Sequence, residues 1–339
     1  MTVAKPADGT MIKKAINDPE EIVEEVIQGL VLASNGRVSS EPKSRVVRRT
    51  TLEEGRVGLL IGGGSGHEPM FVQYLGPGYA DAVAVGNIFA APTPDVILNA
   101  TQAIDRERGV LHVYASYAGD NMNFDMAAEM AVELGIKTMA VRAVDDVSLP
   151  ASLGRRGIAG VFFLIKVAGA ACAAGLDLEQ AHEVATKARD NTRSLSVAFR
   201  PGSMPETGEP TFAIADDEIE IGMGGHGEKG VETHKMMSAD ALVEIMMRRV
   251  VGDFPLKWGD RVAVLVNDLG ATTMMELLIV NRRVRQVLSE QGVTVFDTWL
   301  GPYSTTQEMA GFSVSLLKTD ADIERYLSWP SANETFLKP

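Results

Sequence analysis

The segment Ile221-Gly222-Met223-Gly224-Gly225-His226-Gly227-Glu228-Lys229-Gly230 sets one histidine among five glycines. Glycine has no Cβ and tolerates positive φ, so it collects where backbone turns sharply or lies close to a ligand. A histidine framed this way is held by main chain and left open to a small molecule. Its imidazole can then act as base, metal ligand or nucleophile. A second stretch, Gly62-Gly63-Gly64-Ser65-Gly66-His67-Glu68-Pro69, repeats the pattern, and the chain holds only five histidines. Two glycine-framed histidines point to one shared site. A lone one would read as a turn residue bonded to backbone, and Ser65 as the cap of a helix starting near His67. The third candidate is Asp120, in Tyr117-Ala118-Gly119-Asp120-Asn121-Met122-Asn123-Phe124. Alone it reads as the N-cap of the helix that follows; with two histidines at other strand ends it can share their cleft.

The remaining histidines weigh less. His112 alternates with apolar neighbours in Gly109-Val110-Leu111-His112-Val113-Tyr114 and reads as core. His182 lies in an acidic helix and His234 has no partner at metal-ligand spacing, so no protein-bound metal is expected. The single cysteine, Cys172, sits in an apolar run and reads as a small core residue.

The elements that must position these side chains follow from periodicity. Asp18-Pro19-Glu20-Glu21 starts a helix, with proline at its first position and acids in its first turn. Strands are predicted at Val57–Ile61 ending in a glycine loop, at Ala80–Val85, at Gly109–Tyr114 and at Lys137–Val141. Helices are predicted from Thr93 to Ile104 and from Phe124 to Leu134. This alternation describes an α/β layer with functional loops at strand ends. The Pro- and Gly-dense Arg200–Pro210 marks a connection or boundary. After it come a methionine-rich helix at Ala239–Val250, a strand at Arg261–Asn267, another helix, and strands near Val293–Phe296 and Phe312–Leu317.

Length and charge bound the rest. A chain of 339 residues corresponds to two domains or one large one with insertions. The division expected is 1–195, with His67 and Asp120, and 196–339, with the His226 loop and a C-terminal tail able to fold back on the first part. A net charge of −13 argues against nucleic acid and anionic membrane as partners. No signal peptide and no bilayer-spanning apolar run is read, so a cytoplasmic location is expected. Gly62–Gly66 resembles a phosphate loop only loosely, because no Lys-Ser or Lys-Thr follows.

Taken in order, several stretches resemble the dihydroxyacetone kinase family, specifically its substrate-binding K subunit. They are Gly62–Pro69, Gly86–Asp95, Tyr117–Phe124, Gly154-Arg155-Arg156-Gly157, Ala215–Glu220 with the His226 loop, and Leu265–Thr272. The resemblance implies two α/β domains with mixed sheets flanked by helices, and a homodimer. It implies that His226 adds to a ketone carbonyl as a hemiaminal, distinguishing short ketoses from polyols such as glycerol. His67 and Asp120 would be the acid/base pair at the terminal hydroxyl, and Gly64, Ser65 and Gly66 would line the substrate. No cofactor would be bound by this chain. ATP, or a held ADP, with Mg²⁺ would sit on a partner L subunit.

Two departures from the family pattern bear on substrate size. Where the family commonly carries a lysine five residues before the aspartate, this chain has Ala115; where its histidine loop usually has isoleucine and proline, this chain has Gly225 and Lys229. Lost volume at Ala115 and Gly225 makes a ketose larger than dihydroxyacetone, such as erythrulose, a plausible substrate. The resemblance also admits a ketose-sensing coactivator without turnover. Retention of both His67 and Asp120 favours catalysis, since sensing requires capture but no proton transfer.

Overall fold

The computed structural model describes residues 13–333 and 337–338. The first half is a mixed sheet of β1 (Val38–Ser39), β2 (Val46–Arg49), β3 (Gly58–Ser65), β4 (Ala82–Ile88), β5 (Val110–Ala115) and β6 (Thr138–Ala143) in the order β1-β2-β4-β3-β5-β6. The strands β4, β3, β5 and β6 run parallel, and β1 and β2 add an antiparallel edge. Its helices are α1 (Ile22–Ala33), α2 (Pro94–Ile104), α3 (Ala118–Glu133), α4 (Val161–Ala173) and α5 (Leu178–Asp190). The second half is another mixed sheet, of β7 (Thr192–Arg200), β8 (Glu218–Ile221), β9 (Glu232–Lys235), β10 (Arg261–Asp268), β11 (Thr294–Gly301) and β12 (Ala310–Thr319), ordered β11-β10-β12-β7-β8-β9. Helices α6 (Ala239–Asp253) and α7 (Met274–Glu290) belong to it, while α8 (Ala321–Leu327) leads to a short hairpin of β13 (Ser331–Ala332) and β14 (Leu337–Lys338). Two mixed sheets flanked by helices are the expected architecture.

Strand alternation decides which face meets which helix. Leu60, Ala82, Ala84 and Tyr114 face α2 and α3 through Ile97, Ala100, Ile104 and Phe124. Leu59, Ile61, Val83, Leu111 and Val113 face the opposite way, toward α4. In the second sheet Val262, Val264 and Val266 face α6 and α7, whereas Ala263 and Leu265 join the core that contains α4. Helix α4 is buried along almost its whole length, as a helix apolar all round must be. It lies between the sheets, with Phe162 against Tyr303 and Phe163 against Trp299. Cys172 is on this helix, buried and free.

Three expectations change. The boundary placed at residue 195 falls inside β7, whose nine residues all belong to the second sheet, so the chain crosses over at 191–192. The Pro- and Gly-dense stretch after β7 lies within the second half, between β7 and β8. The Gly62–Gly64 run is not a loop but the body of β3, which continues to Ser65. The tail does return to the first half: α8 packs on α4, the Lys166 ammonium donates to the carbonyls of Tyr326 and Trp329, and the Ala332 N–H donates to the Pro77 carbonyl. Among the described residues, no helix is long and apolar enough to cross a membrane.

Two glycines test the packing argument in opposite directions. A Cβ on Gly86, in β4, would lie 1.9 Å from the Ala90 carbonyl oxygen, a backbone atom that cannot rotate away. Gly86→Ala is expected to destabilise by about 1–3 kcal/mol through overpacking. Gly29, inside α1, has nothing within 4 Å of that position, so Gly29→Ala should stabilise by about 0.5–1 kcal/mol. Urea midpoints at unchanged m-value read both effects.

Candidate functional site

The site lies outside the carboxyl ends of β3 and β5, where open α/β sheets gather ligands. His67 follows β3 by two residues, Ala115 ends β5, and Asp120 is the third residue of α3. The His226 loop arrives from the second half, after β8. A cavity of about 50 Å³ joins them, lined by Gly64, His67, Ala115, Tyr117, Asp120, Gly225 and His226 among others. That space holds the centres of about three to five water molecules, the scale a small polyol-like ligand displaces.

Both imidazoles are anchored through the same ring atom. His67 Nδ1 lies 2.8 Å from the Thr305 carbonyl, which can only accept, so Nδ1 carries the proton and Nε2 keeps its lone pair. His226 Nδ1 lies 3.0 Å from Glu228 Oε1, and the His226 backbone N–H donates to the other oxygen at 2.9 Å. The two rings are 5.0 Å apart between centroids, with Phe89 5.0 Å from His67 and 5.4 Å from His226, and Tyr117 4.6 Å from His226. Two imidazoles with unspent Nε2 atoms therefore share an aromatic-walled pocket.

Burial sets the charges. It pulls His67 down to about 3, with repulsion from His226 second, so His67 is neutral at physiological pH. It pushes Asp120 up to about 6, opposed by attraction to His226. Burial would also raise Glu228, but the hydrogen bond and charge of His226 outweigh it and hold that carboxyl at about 2. Asp120 Oδ1 is buried and has no hydrogen-bond partner among the described residues. A buried carboxylate oxygen without a donor is costly, and a ligand hydroxyl entering this pocket would supply one.

Several expected roles move. Asp120 is not the N-cap of its helix; α3 begins two residues before it and Tyr117 holds the cap position. Its carboxyl is free for the cavity because it is not spent on capping. Ser65 caps no helix: it ends β3, is buried, and its hydroxyl donates to the Gly86 carbonyl. Gly66 has φ +97° and spends its N–H on the Glu68 carboxylate. Ser65 and Gly66 are therefore absent from the cavity wall, whereas Gly64 is on it. His112 is core, its Nε2 3.0 Å from Thr101 Oγ1; His182 is half-buried, its Nε2 3.2 Å from the Ala140 carbonyl oxygen; His234 pairs with Glu232.

The glycine frame of His226 also has a more specific cause than ligand access. A Cβ on Gly224 would meet Glu228 Oε2 at 2.0 Å, one on Gly230 the Ile221 carbonyl at 2.5 Å, and Gly222 and Gly227 have φ of +81° and +85°. Gly225 lines the cavity, its Cβ position 3.3 Å from the Tyr117 hydroxyl and 3.6 Å from His67 Cε1.

Sequence reasoning gave no role to Glu228 or to the segment Tyr303–Gln307. The sequence signals were a carboxylate two residues after the histidine and a polar, proline-containing loop between two strands. That segment touches both histidine loops. Thr305 N–H donates to the His67 carbonyl, Gln307 N–H to the Gly66 carbonyl, Thr305 Oγ1 to the Glu68 carbonyl and Thr306 Oγ1 to the Gly225 carbonyl.

Asp120 supplies a prediction for this pocket. Its ionised form is disfavoured in the fold relative to the unfolded chain, so it subtracts stability as pH rises from 3.8 through about 6. Asp120→Asn should therefore raise the melting temperature at pH 8, with most of the gain gone by pH 4, where the carboxyl is protonated in the fold and about half protonated in the unfolded chain. Melting curves of the two proteins at both pH values check the sign.

The same fold recurs in known proteins. The Dak1 domain model matches residues 28–335, and the chain belongs to that family. It is 39% identical over 322 residues to the dihydroxyacetone-binding subunit DhaK of PTS-dependent dihydroxyacetone kinase 2 of Listeria innocua, covering 94% of this chain and 97% of that one. It is 37% identical over 329 residues to a D-erythrulose kinase of Mycolicibacterium smegmatis, covering 96% of this chain but 56% of that longer protein. Among solved structures, a dihydroxyacetone kinase operon co-activator, DhaQ, superposes with TM-score 0.89 at 28% identity over 95% of this chain and 99% of that one. The dihydroxyacetone kinase of C. freundii, solved with AMP-PNP and Mg²⁺, superposes with TM-score 0.87 at 31% identity over 97% of this chain and 62% of that one.

Proposed function

We propose that this Dak1 chain is the ketose-binding subunit of a short-chain ketose kinase. It captures the ketose on His226 and readies a terminal hydroxyl for phosphorylation by nucleotide held elsewhere. The observation that carries this reading is one pocket holding a nucleophile-ready imidazole, a second neutral imidazole and a carboxylate oxygen lacking a donor.

In the capture step, the Nε2 lone pair of His226 forms a bond to the ketone carbon and the C=O π pair moves onto oxygen. That oxygen gains a proton while Nδ1 loses one, the proton passing from Nδ1 to the oxygen by way of Glu228 and solvent, so Glu228 stays ionised and the adduct is a neutral hemiaminal. An alcohol carbon offers no π bond to open, which separates ketoses from polyols. In the transfer step Asp120 accepts a hydrogen bond from the terminal hydroxyl, and the neutral His67 takes its proton on Nε2 as the oxygen attacks the phosphoryl group.

The nucleotide, ATP or a held ADP, supplies the phosphoryl group and Mg²⁺ neutralises its charge. We assign both to a separate L-type subunit. Among the described residues no group of three or more His, Cys, Asp or Glu side chains could hold a metal ion. A homodimer of this chain and a cytoplasmic location complete the proposal. The likeness to a co-activator favours a second reading, ketose sensing. The donor-less Asp120 oxygen weighs against it, because capture alone does not require that buried carboxylate.

The small residues Ala115 and Gly225 on the cavity wall extend the substrate class to four carbons. Gly157 packs flat on Ala115, which offers no cation to bond a hydroxyl, and a Cβ on Gly225 would already lie 3.3 Å from the Tyr117 hydroxyl and 3.6 Å from His67 Cε1, so any side chain there would narrow the pocket. With a matched L subunit and ATP, kcat/KM for erythrulose should exceed that for dihydroxyacetone, and Ala115→Lys with Gly225→Ile should reverse the order. A ratio well below one in the unaltered protein rejects the enlarged pocket.

The roles separate in variants. His226→Ala should abolish the adduct, seen as loss of the hemiaminal carbon signal in ¹³C NMR with [2-¹³C]dihydroxyacetone. His67→Ala and Asp120→Ala should keep that signal and lower turnover by about 10²–10⁴-fold, the usual contribution of acid/base groups. Near wild-type turnover in either removes its assigned role, and no turnover with a competent L subunit in the unaltered protein favours the sensor.

A further inference from the structure

The Gly154-Arg155-Arg156-Gly157 stretch has no place in the chemistry above, yet one of its arginines reaches the His226 loop. Arg156 belongs to the connection between β6 and α4, in the first half. Its Nε and Nη2 donate to Asp146 Oδ2 at 3.0 and 2.7 Å, and Nη2 also to Ser148 Oγ at 3.0 Å and to the Gly222 carbonyl at 3.2 Å. Its remaining terminal nitrogen, Nη1, lies 4.0 Å from Glu228 Oε2. The Arg156 side chain is 13% exposed and Asp146 is fully buried, so neither charge is dissolved in water. A Cβ on Gly224 would collide with this pair, 2.0 Å from Glu228 Oε2 and 2.5 Å from Arg156 Nη1. The neighbouring Arg155 takes a different path, to Asp253 and the Leu149 carbonyl.

We propose that Arg156 is a positioning residue for covalent capture, acting through Glu228 on His226. The proposal rests on the reading of His226 as the nucleophile. Asp146 fixes the guanidinium, and the guanidinium ties the first half to the backbone of the His226 loop at Gly222. The same group presents a positive charge to the Glu228 oxygen that accepts the His226 backbone N–H. The other Glu228 oxygen is then held on Nδ1, which keeps the lone pair on Nε2 and directs it into the cavity. Such outer partners of a functional imidazole fix its tautomer and orientation, and their loss costs about 10–100-fold in metal sites, where the effect has been measured. A lysine cannot substitute, because one ammonium cannot span Asp146, Gly222 and Glu228 as a planar fork does.

The chain of contacts also predicts a pH signature. The charged and titratable groups facing Glu228 are His226, Arg156 and Tyr117, with His67 and Asp146 beyond them. Removing the Arg156 cation leaves Glu228 easier to protonate. The acid limb that Glu228 sets, below pH 4 in the unaltered protein because that carboxyl is held at about 2, should then rise toward the pH 4–8 range, an effect that mere loosening of the loop would not give.

The test measures adduct formation with [2-¹³C]dihydroxyacetone by ¹³C NMR, from pH 4 to 8, on the full chain. Four variants are compared: Arg156→Gln, Arg156→Lys, Glu228→Gln and the double Arg156→Gln/Glu228→Gln. Arg156→Gln is expected to weaken capture by about tenfold or more and to shift the acid limb upward, with Arg156→Lys recovering only part. The double variant should be no weaker than Glu228→Gln, because groups that act through one another are not additive. Wild-type affinity and pH profile in Arg156→Gln would overturn the proposal, as would losses at 156 and 228 that add in full. If Arg156→Gln does not fold, Arg156→Lys decides: wild-type capture by it is the overturning result. Absence of adduct in the unaltered protein is a different failure, removing the hemiaminal reading itself.

Discussion

Everything at this site depends on the segment Tyr303–Gln307, which bonds to both histidine loops at once. Its own position is set by one buried side chain. Asn267, at the end of β10 and wholly buried, accepts the backbone N–H groups of Tyr303 and Ser304 at 2.8 Å each and donates to the Ser304 carbonyl at 2.8 Å. A side-chain amide with both a donor and an acceptor can satisfy a turn on both sides, which a carboxylate, having no donor, cannot do. From that anchor, Thr305 holds the His67 loop by three hydrogen bonds and Thr306 holds Gly225 by one. The 5.0 Å between imidazoles is therefore fixed through backbone of the second half, although His67 belongs to the first. Sites assembled across two sheets need such a shared reference, because small misplacement of reacting groups is costly to rate.

The glycines serve that geometry in two distinct ways. In β3 they permit close crossing: a Cβ on Gly63 would sit 2.3 Å from the Phe71 ring, and one on Gly64 would sit 2.7 Å from the Ala90 backbone nitrogen. Close approach presses Phe71 and Phe89 onto the strand end that carries His67. In the His226 loop, Gly224 clears room for a carboxylate and a guanidinium, while Gly222 and Gly227 supply left-handed turns. Both loops look alike in sequence, yet one is a strand of glycines and the other a true turn.

That difference marks where the sequence was legible. The strongly periodic elements were found nearly in full: the predicted helix at Thr93–Ile104 is α2, and the strands at Arg261–Asn267 and Gly109–Tyr114 match β10 and β5 within a residue. His67, Asp120 and His226 were identified by type and frame, and they do meet in one cavity. What escaped were features that local pattern does not encode. The polar-tinged β7 through β9 carry weak alternation, so the boundary fell inside β7. Glycine argues for loops, so β3 was ended too early. The roles of Asn267 and Thr305 are invisible in sequence because each acts through a partner chosen by the fold, more than 30 residues away.

The charge pattern shows why such external fixing is required. Neutral imidazole and a carboxylate held near neutrality both arise from burial, which also makes the site expensive to keep. The ionised Asp120 is a net cost to the fold, since burial outweighs its attraction to His226 and one of its oxygens has no donor among the described residues. Left to local energetics, the loops would relax outward and hydrate that oxygen. They are held instead by contacts whose worth does not depend on ligand. These are the Thr305 and Thr306 bonds and the aromatic packing of α4 on Tyr303 and Trp299. Stability is thus generated between the sheets, and its surplus sustains an unsatisfied polar pocket at their rim. A ligand with a hydroxyl for Asp120 and an electrophilic carbon for His226 would relieve that deficit, and a hydrocarbon of equal size would not.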